Sequence, residues 1–181
     1  MSIPRIEISG YLVQAKLAQA LTLLVGEDHW LGEEVLVEGT KNRWDMVYEM
    51  NGARVAVEFD GDEHYRHSLK IKADRKKDQV AREYGYRVVR FPYWLQLTSA
   101  TLRHYFALDA EVIQDFPHGF ITTRFFPASF CELGLERFQR EFESLPKDVC
   151  SAVVQSLKER VIEHGQEYVI PSTLAGILMV K

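Results

Sequence analysis

The dipeptide Asn51-Gly52, set between two runs that alternate apolar and polar residues, constrains this chain more than any other feature. Both residues accept positive φ at low cost, so the pair favours a two-residue β-hairpin turn, and such a turn fixes strand register. Counting outward from it places Met50 opposite Ala53, Glu49 opposite Arg54, and Asp45 opposite Glu58. The strands at 44–50 and 53–59 should then share an apolar layer of Trp44, Met46, Tyr48 and Met50 against Val55, Val57 and Phe59. The other face should carry Asp45, Val47 and Glu49 against Arg54, Ala56 and Glu58. Alternation around Val35 and Val37 predicts a preceding strand over 34–38, which completes an antiparallel meander.

Helical signals flank the meander. An Ala/Leu/Gln/Lys-rich stretch at 11–25 predicts a helix stopped by Gly26. A second helix is predicted over 68–84, with Ser68 as N-cap, Gly85 as stop, and Leu69, Ala73, Val80 and Tyr84 at helical spacing. A short strand at 86–91 follows, ended by Pro92, and a helical crossover should set it parallel to 53–59. With a helix at 98–108, the order is α-β-β-β-α-β-α: an α/β fold with a mixed β-sheet flanked by helices. Beyond residue 108 the character changes to Phe116-Pro117-His118-Gly119-Phe120 and helical stretches near 134–145 and 147–164. The expected division is a core at 1–108 and an aromatic-rich, mainly helical extension at 109–181, its aromatics packed onto the core.

Composition narrows the functional classes. With 46% hydrophobic and 27% charged residues the chain reads as globular. Its longest apolar stretches fall short of the roughly 20 residues a membrane span needs, and its first residues lack a secretory apolar region. A cytoplasmic protein with no membrane partner is expected. Cys131 and Cys150, without a CxxC or Cys/His pairing, argue against zinc and read as reduced, buried thiols. The net charge of −4 weighs against a nucleic-acid partner unless the acids cluster in a site.

They are expected to cluster. Single carboxylates on a strand are usually solvated, but Asp45 directly across from Glu58, roughly 5 Å away, would be destabilising unless a cation or proton lies between them. Asp60, two residues beyond Glu58, adds a third carboxylate on the same face. Three such groups suit Mg²⁺ or Mn²⁺, which keep several waters and use few protein ligands. His64, three residues after Gly61, is a candidate for orienting or deprotonating an attacking water. The helix at 68–84 brings Lys70, Lys72, Arg75, Lys76 and Lys77; most of these fit a solvated face, with Lys70–Asp74 and Asp78–Arg82 as intrahelical pairs. Lys77 is the one expected to lean toward the sheet. Arg66, Lys70, Arg75 and Lys76 are the candidate DNA-phosphate contacts.

Asp45, then Glu58-Phe59-Asp60-Gly61-x-x-His64, then Asp74-x-x-Lys77-Asp78, then Gly85-Tyr86-Arg87-Val88-Val89-Arg90-Phe91, resembles the Vsr-like branch of the PD-(D/E)XK nuclease superfamily, over about residues 11–107. That resemblance implies a restriction-endonuclease-like core that cleaves DNA phosphodiesters with Mg²⁺. It implies Asp45 as the first metal-binding acid, Glu58 as the acid of the second motif, and Asp60 where the superfamily usually has lysine. Lys77 or Lys76 would supply the missing cation. Catalysis would then rest on Asp45, Glu58, Asp60, His64 and Lys77, and cutting both strands would need a homodimer or a partner subunit. Two other readings stay open: a catalytically silent nucleic-acid-binding or assembly module, and a metal-dependent hydrolase without a DNA partner.

Overall fold

A computed structural model of the chain describes residues 3–36, 41–122 and 126–178. Its centre is a four-stranded mixed sheet in the order β2-β3-β4-β5, formed by Trp30–Leu36, Arg43–Met50, Ala53–Asp60 and Arg87–Pro92. The turn between β3 and β4 has Asn51 at φ 52° and Gly52 at φ 74°, the two positive angles a type I′ turn requires. Register follows the turn: Met50 pairs Ala53, Glu49 pairs Arg54, and the ladder runs regularly to Met46–Val57. β5 lies parallel to β4, with Glu58 beside Arg90 and Asp60 beside Pro92. β2 begins earlier than alternation implied, and the expected positions Val37 and Glu38 lie outside the described residues.

Helix α1 (Gln14–Val25) covers one face of the sheet, burying Leu17, Ala18 and Leu21 with Met46, Tyr48, Val55 and Val57. Helix α3 (Ser68–Glu83), preceded by the single turn α2 (Glu63–Arg66), lies over the other face, where Trp44, Val47, Ala56, Ala81 and Tyr86 form a smaller cluster. Two expectations are corrected here. Trp44 joins Val47 and Ala56 rather than Met46 and Tyr48, because the regular pleat ends at Met46 and the next residue, Asp45, bonds in the plane of the sheet. The inward stripe of α3 is Ile71, Asp74, Asp78 and Ala81, while Leu69 is 79% exposed and Ala73 and Tyr84 face solvent. Apolar spacing pointed to the wrong face because arginines beneath the helix pair with its aspartates. Asp74 accordingly faces away from Lys70 and toward the sheet.

A strand pair absent from the expected order ties the chain's beginning to its later part: β1 (Arg5–Ile8) runs parallel to β6 (Glu111–Gln114). Helix α4 (Ser99–Phe106) leads into β6, and α5 (Glu132–Ser144) and α6 (Lys147–His164) follow. One apolar core takes in Ile6, Phe91 and Trp94 together with Phe120, Phe138, Val153 and Leu174, so packing is continuous across residue 109. Gly134 makes the closest approach: a Cβ there would lie 1.8 Å from the Tyr65 carbonyl oxygen, and only glycine lets α5 sit on α2. Cys131 and Cys150 form no disulfide among the described residues, and both are half-buried. Among the described residues no helix is long and apolar enough to cross a membrane.

Candidate functional site

The open end of the β3–β4 hairpin, opposite the Asn51-Gly52 turn, holds the first group of candidate residues. Beyond Met46–Val57 side chains replace ladder bonds. The Asp45 N–H donates to Glu58 Oε1 at 3.2 Å, and the Phe59 N–H donates to Asp45 Oδ2 at 2.9 Å. Lys77, reaching in from α3, donates to the same Glu58 oxygen, and its Nζ sits 4.4 Å from the centre of the Trp44 ring. A lysine ammonium over an indole face and against a carboxylate is fixed in direction. Each carboxylate thus commits one oxygen to the fold. Among the described residues no donor bonds to Asp45 Oδ1, and Glu58 Oε2 has only Arg90 Nη1 at 3.8 Å.

Electrostatics sharpen the pair. Burial, with the nearby Asp60 charge, pushes Asp45 above the usual carboxylate range despite the Phe59 N–H and Lys77. Burial and then the Asp45 charge push Glu58 up as well, against Lys77 and Arg90. Two carboxylates that both resist ionisation favour any cation able to enter between them.

Asp60 belongs to a different arrangement. It is fully buried, with Oδ1 2.7 Å from Arg90 Nη1 and 3.1 Å from His64 Nδ1, while Oδ2 accepts from Arg137 Nη2 of α5. Asp74 Oδ2 lies 2.6 Å from His64 Nδ1, and Arg137 Nη1 is 3.4 Å away. Asp78 binds Arg90 Nε at 2.8 Å. Glu141 takes Arg137 Nε at 2.7 Å and the Tyr65 hydroxyl at 2.5 Å. Burial would raise Asp74, but the His64 hydrogen bond and Arg90 outweigh it and hold the carboxyl below its usual range.

Asp60, His64 and Asp74 offer ligand atoms within 4.8 Å of one another, the one such group among the described residues, and so could hold a metal ion. The fit to a hard divalent ion is poor. Two guanidiniums already take the carboxylate oxygens, His64 Nδ1 faces acceptors and so donates, and full burial of Asp60 leaves no room for the waters Mg²⁺ retains. Asp45 and Glu58 fit better: each has an oxygen to spare, and Asp45 is only half-buried.

The sequence-predicted residues therefore divide. Asp45, Glu58 and Lys77 come together at the hairpin end, and Asp60 and His64 enter the arginine network. Lys70, Arg75 and Lys76 lie on the exposed side of α3, with Arg75 3.9 Å from Glu136, and Arg66 is paired to Asp62 at 3.0 Å. Arg90, Arg137 and Glu141 were not anticipated as site residues. The Arg137–Glu141 spacing reads as an ordinary surface pair, and only the tertiary docking of α5 buries it. No protein-family model matches the chain, and neither the curated proteins nor the solved structures give a significant match.

Proposed function

We propose that this chain is a Mg²⁺-dependent DNA endonuclease with a restriction-endonuclease-like core, whose reacting groups are Asp45, Glu58 and Lys77. The observation that carries the reading is the convergence of one buried and one half-buried carboxylate with one directed lysine at the end of a hairpin. Holding these two acids near each other costs stability, since burial and their mutual repulsion raise the Glu58 carboxyl. Asp45 Oδ1 and Glu58 Oε2 are the oxygens that would hold the ion; bound there, Mg²⁺ or Mn²⁺ would supply an acidified water and charge neutralisation.

Within this reading the chain's own groups have separate tasks. The Phe59 N–H and the Asp45 N–H hold the carboxylates in position. Lys77 Nζ, the cation that Asp60 does not provide, stabilises negative charge developing at the phosphorus or its attacking oxygen. Asp60 and His64 act as positioning residues, anchoring β4 and α2 to Arg90, Arg137 and Asp74. The exposed lysines of α3, Lys70 and Lys76, are the candidate backbone-phosphate contacts.

The burial of Asp60 favours a second reading, a silent nucleic-acid-binding or assembly module in which these ion pairs serve only to dock α5. Incubating supercoiled plasmid, single-stranded DNA and mismatched duplex with the protein separates the two. Cleavage that needs Mg²⁺ or Mn²⁺, stops with EDTA and is lost in Asp45→Ala supports the endonuclease. DNA retention without cutting of any substrate supports the silent module.

A further inference from the structure

Five arginines converge on one cavity. The space, about 380 Å³, opens between α3, β5, α4 and α5, and its lining includes Arg75 and Arg82 of α3, Arg90 of β5, and Arg137 and Arg140 of α5. Asp74, Asp78 and Glu141 are the carboxylates that line it, so guanidiniums outnumber acids in a chain whose overall charge is −4. The lining includes neither Asp45, Glu58 nor Lys77. The volume falls within the roughly 300–1,000 Å³ typical of small-ligand sites.

Arg137 is committed to Asp60, Asp74 and Glu141, but Arg90, Arg82 and Arg140 are less fully engaged. Arg90, with a side chain 10% exposed, is held by Asp60 and Asp78, yet its Nη2 is buried and makes no hydrogen bond, with Asp74 Oδ1 3.5 Å away. A buried charged donor without a hydrogen bond is costly, and an anion entering the cavity would relieve that cost. Arg82 reaches Asp78 only at 3.6 Å with a mostly exposed side chain, and Arg140 has no ion pair among the described residues. The inner guanidiniums are thus oriented in advance by buried carboxylates, and the outer ones remain to close over a guest.

We propose that this cavity is an anion site that takes a phosphate group, either as free phosphate or as the terminal phosphomonoester of a nucleotide. A tetrahedral dianion presents acceptor oxygens in several directions, which suits guanidinium forks arriving from three separate elements. A planar carboxylate offers two oxygens on one edge and would leave most of those forks unused. The site goes beyond the endonuclease reading and does not depend on it.

The test is calorimetric titration and thermal unfolding of the full chain at fixed ionic strength with inorganic phosphate, thymidine 5′-monophosphate, thymidine and acetate. Saturable binding and a raised midpoint are expected with phosphate and the monophosphate but not with thymidine or acetate. Arg82→Ala/Arg140→Ala, which alters only exposed side chains, should keep its unliganded midpoint and bind phosphate at least about tenfold more weakly. Equal affinity for phosphate and nucleotide assigns free phosphate; tighter nucleotide binding assigns the phosphomonoester. A response no larger than that to acetate or chloride, or unchanged affinity in the double variant, overturns the site. Asp45→Asn should bind phosphate like the wild type, which keeps this result separate from any loss of DNA cleavage.

Discussion

Asp45 and Glu58 close the open end of the β3–β4 hairpin by each engaging the other strand's main chain: the Asp45 N–H donates to Glu58 Oε1 at 3.2 Å, and Asp45 Oδ2 receives the Phe59 N–H at 2.9 Å. The two side chains thereby end the ladder and hold two like charges near each other. Because the fold raises the Asp45 pKa above its ordinary 3.8, the stability linked to this group is fully present below about pH 3.8 and is lost as pH rises through the higher folded value. Asp45→Asn keeps an acceptor for the Phe59 N–H and removes the charge. In metal-free buffer at pH 7 its unfolding midpoint should equal or exceed that of the wild type.

Lys77→Met should separate charge from bulk. Lys77 packs on Trp44 and donates to Glu58, so methionine preserves much of the contact and leaves Glu58 with Arg90 at 3.8 Å. The expected result is a fall in single-turnover cleavage of about 100-fold or more, with near-native circular dichroism. An active Lys77→Met enzyme would remove the lysine from the chemistry.

Arg137 fastens α5 to the core through Asp60, Asp74 and the His64 carbonyl, while Glu141 of the same helix holds its Nε. Removing one member of a buried ion network strands the others, so Arg137→Met should cost about 3–5 kcal/mol in urea unfolding. A loss below about 1 kcal/mol would mean that the network contributes little to docking.

Gly134→Ala tests the α2–α5 contact without touching charge. With Tyr65 backbone 1.8 Å from the added Cβ, the helices must separate, at about 3 kcal/mol or more. For a chain of this size that lowers the thermal midpoint by about 6–12 °C. A midpoint within about 2 °C of wild type would contradict the close approach.

His118 supplies a pH dependence. Buried, with Nδ1 accepting the Gln96 N–H at 2.8 Å, its pKa is lowered by desolvation from 6.5 to about 4. Between those values the unfolded chain binds a proton that the folded chain refuses. Stability is therefore complete above about pH 6.5 and falls as pH drops toward about 4, by about 3 kcal/mol in all. Urea titrations across that range should show the slope, and His118→Gln should flatten it.

The hairpin and its register were legible because Asn51-Gly52 acts locally, and the parallel placement of β5 followed from the handedness of a single crossover. Lys77 does reach Glu58, but not through the Ala73–Val80 phase: it lies three residues after Asp74 and four before Ala81, beside the inward stripe. The inward face of α3 was not legible. Asp74 and Asp78 are buried by Arg90 and Arg137, and a carboxylate's partner 63 residues away leaves no periodic trace. The β1–β6 pair was missed because each strand is four residues long and gains its partner only through distant packing.

The central claim is that Asp45, Glu58 and Lys77 form a metal-dependent phosphodiesterase centre. Cleavage of supercoiled plasmid by the wild type and by folded Asp45→Asn, each in Mg²⁺, in Mn²⁺ and in EDTA, tests it most directly. The account predicts nicking or linearisation by the wild type with either metal, none in EDTA, and at least about a 100-fold loss in Asp45→Asn. Undiminished cleavage by Asp45→Asn, or no metal-dependent cleavage by the wild type, would contradict it.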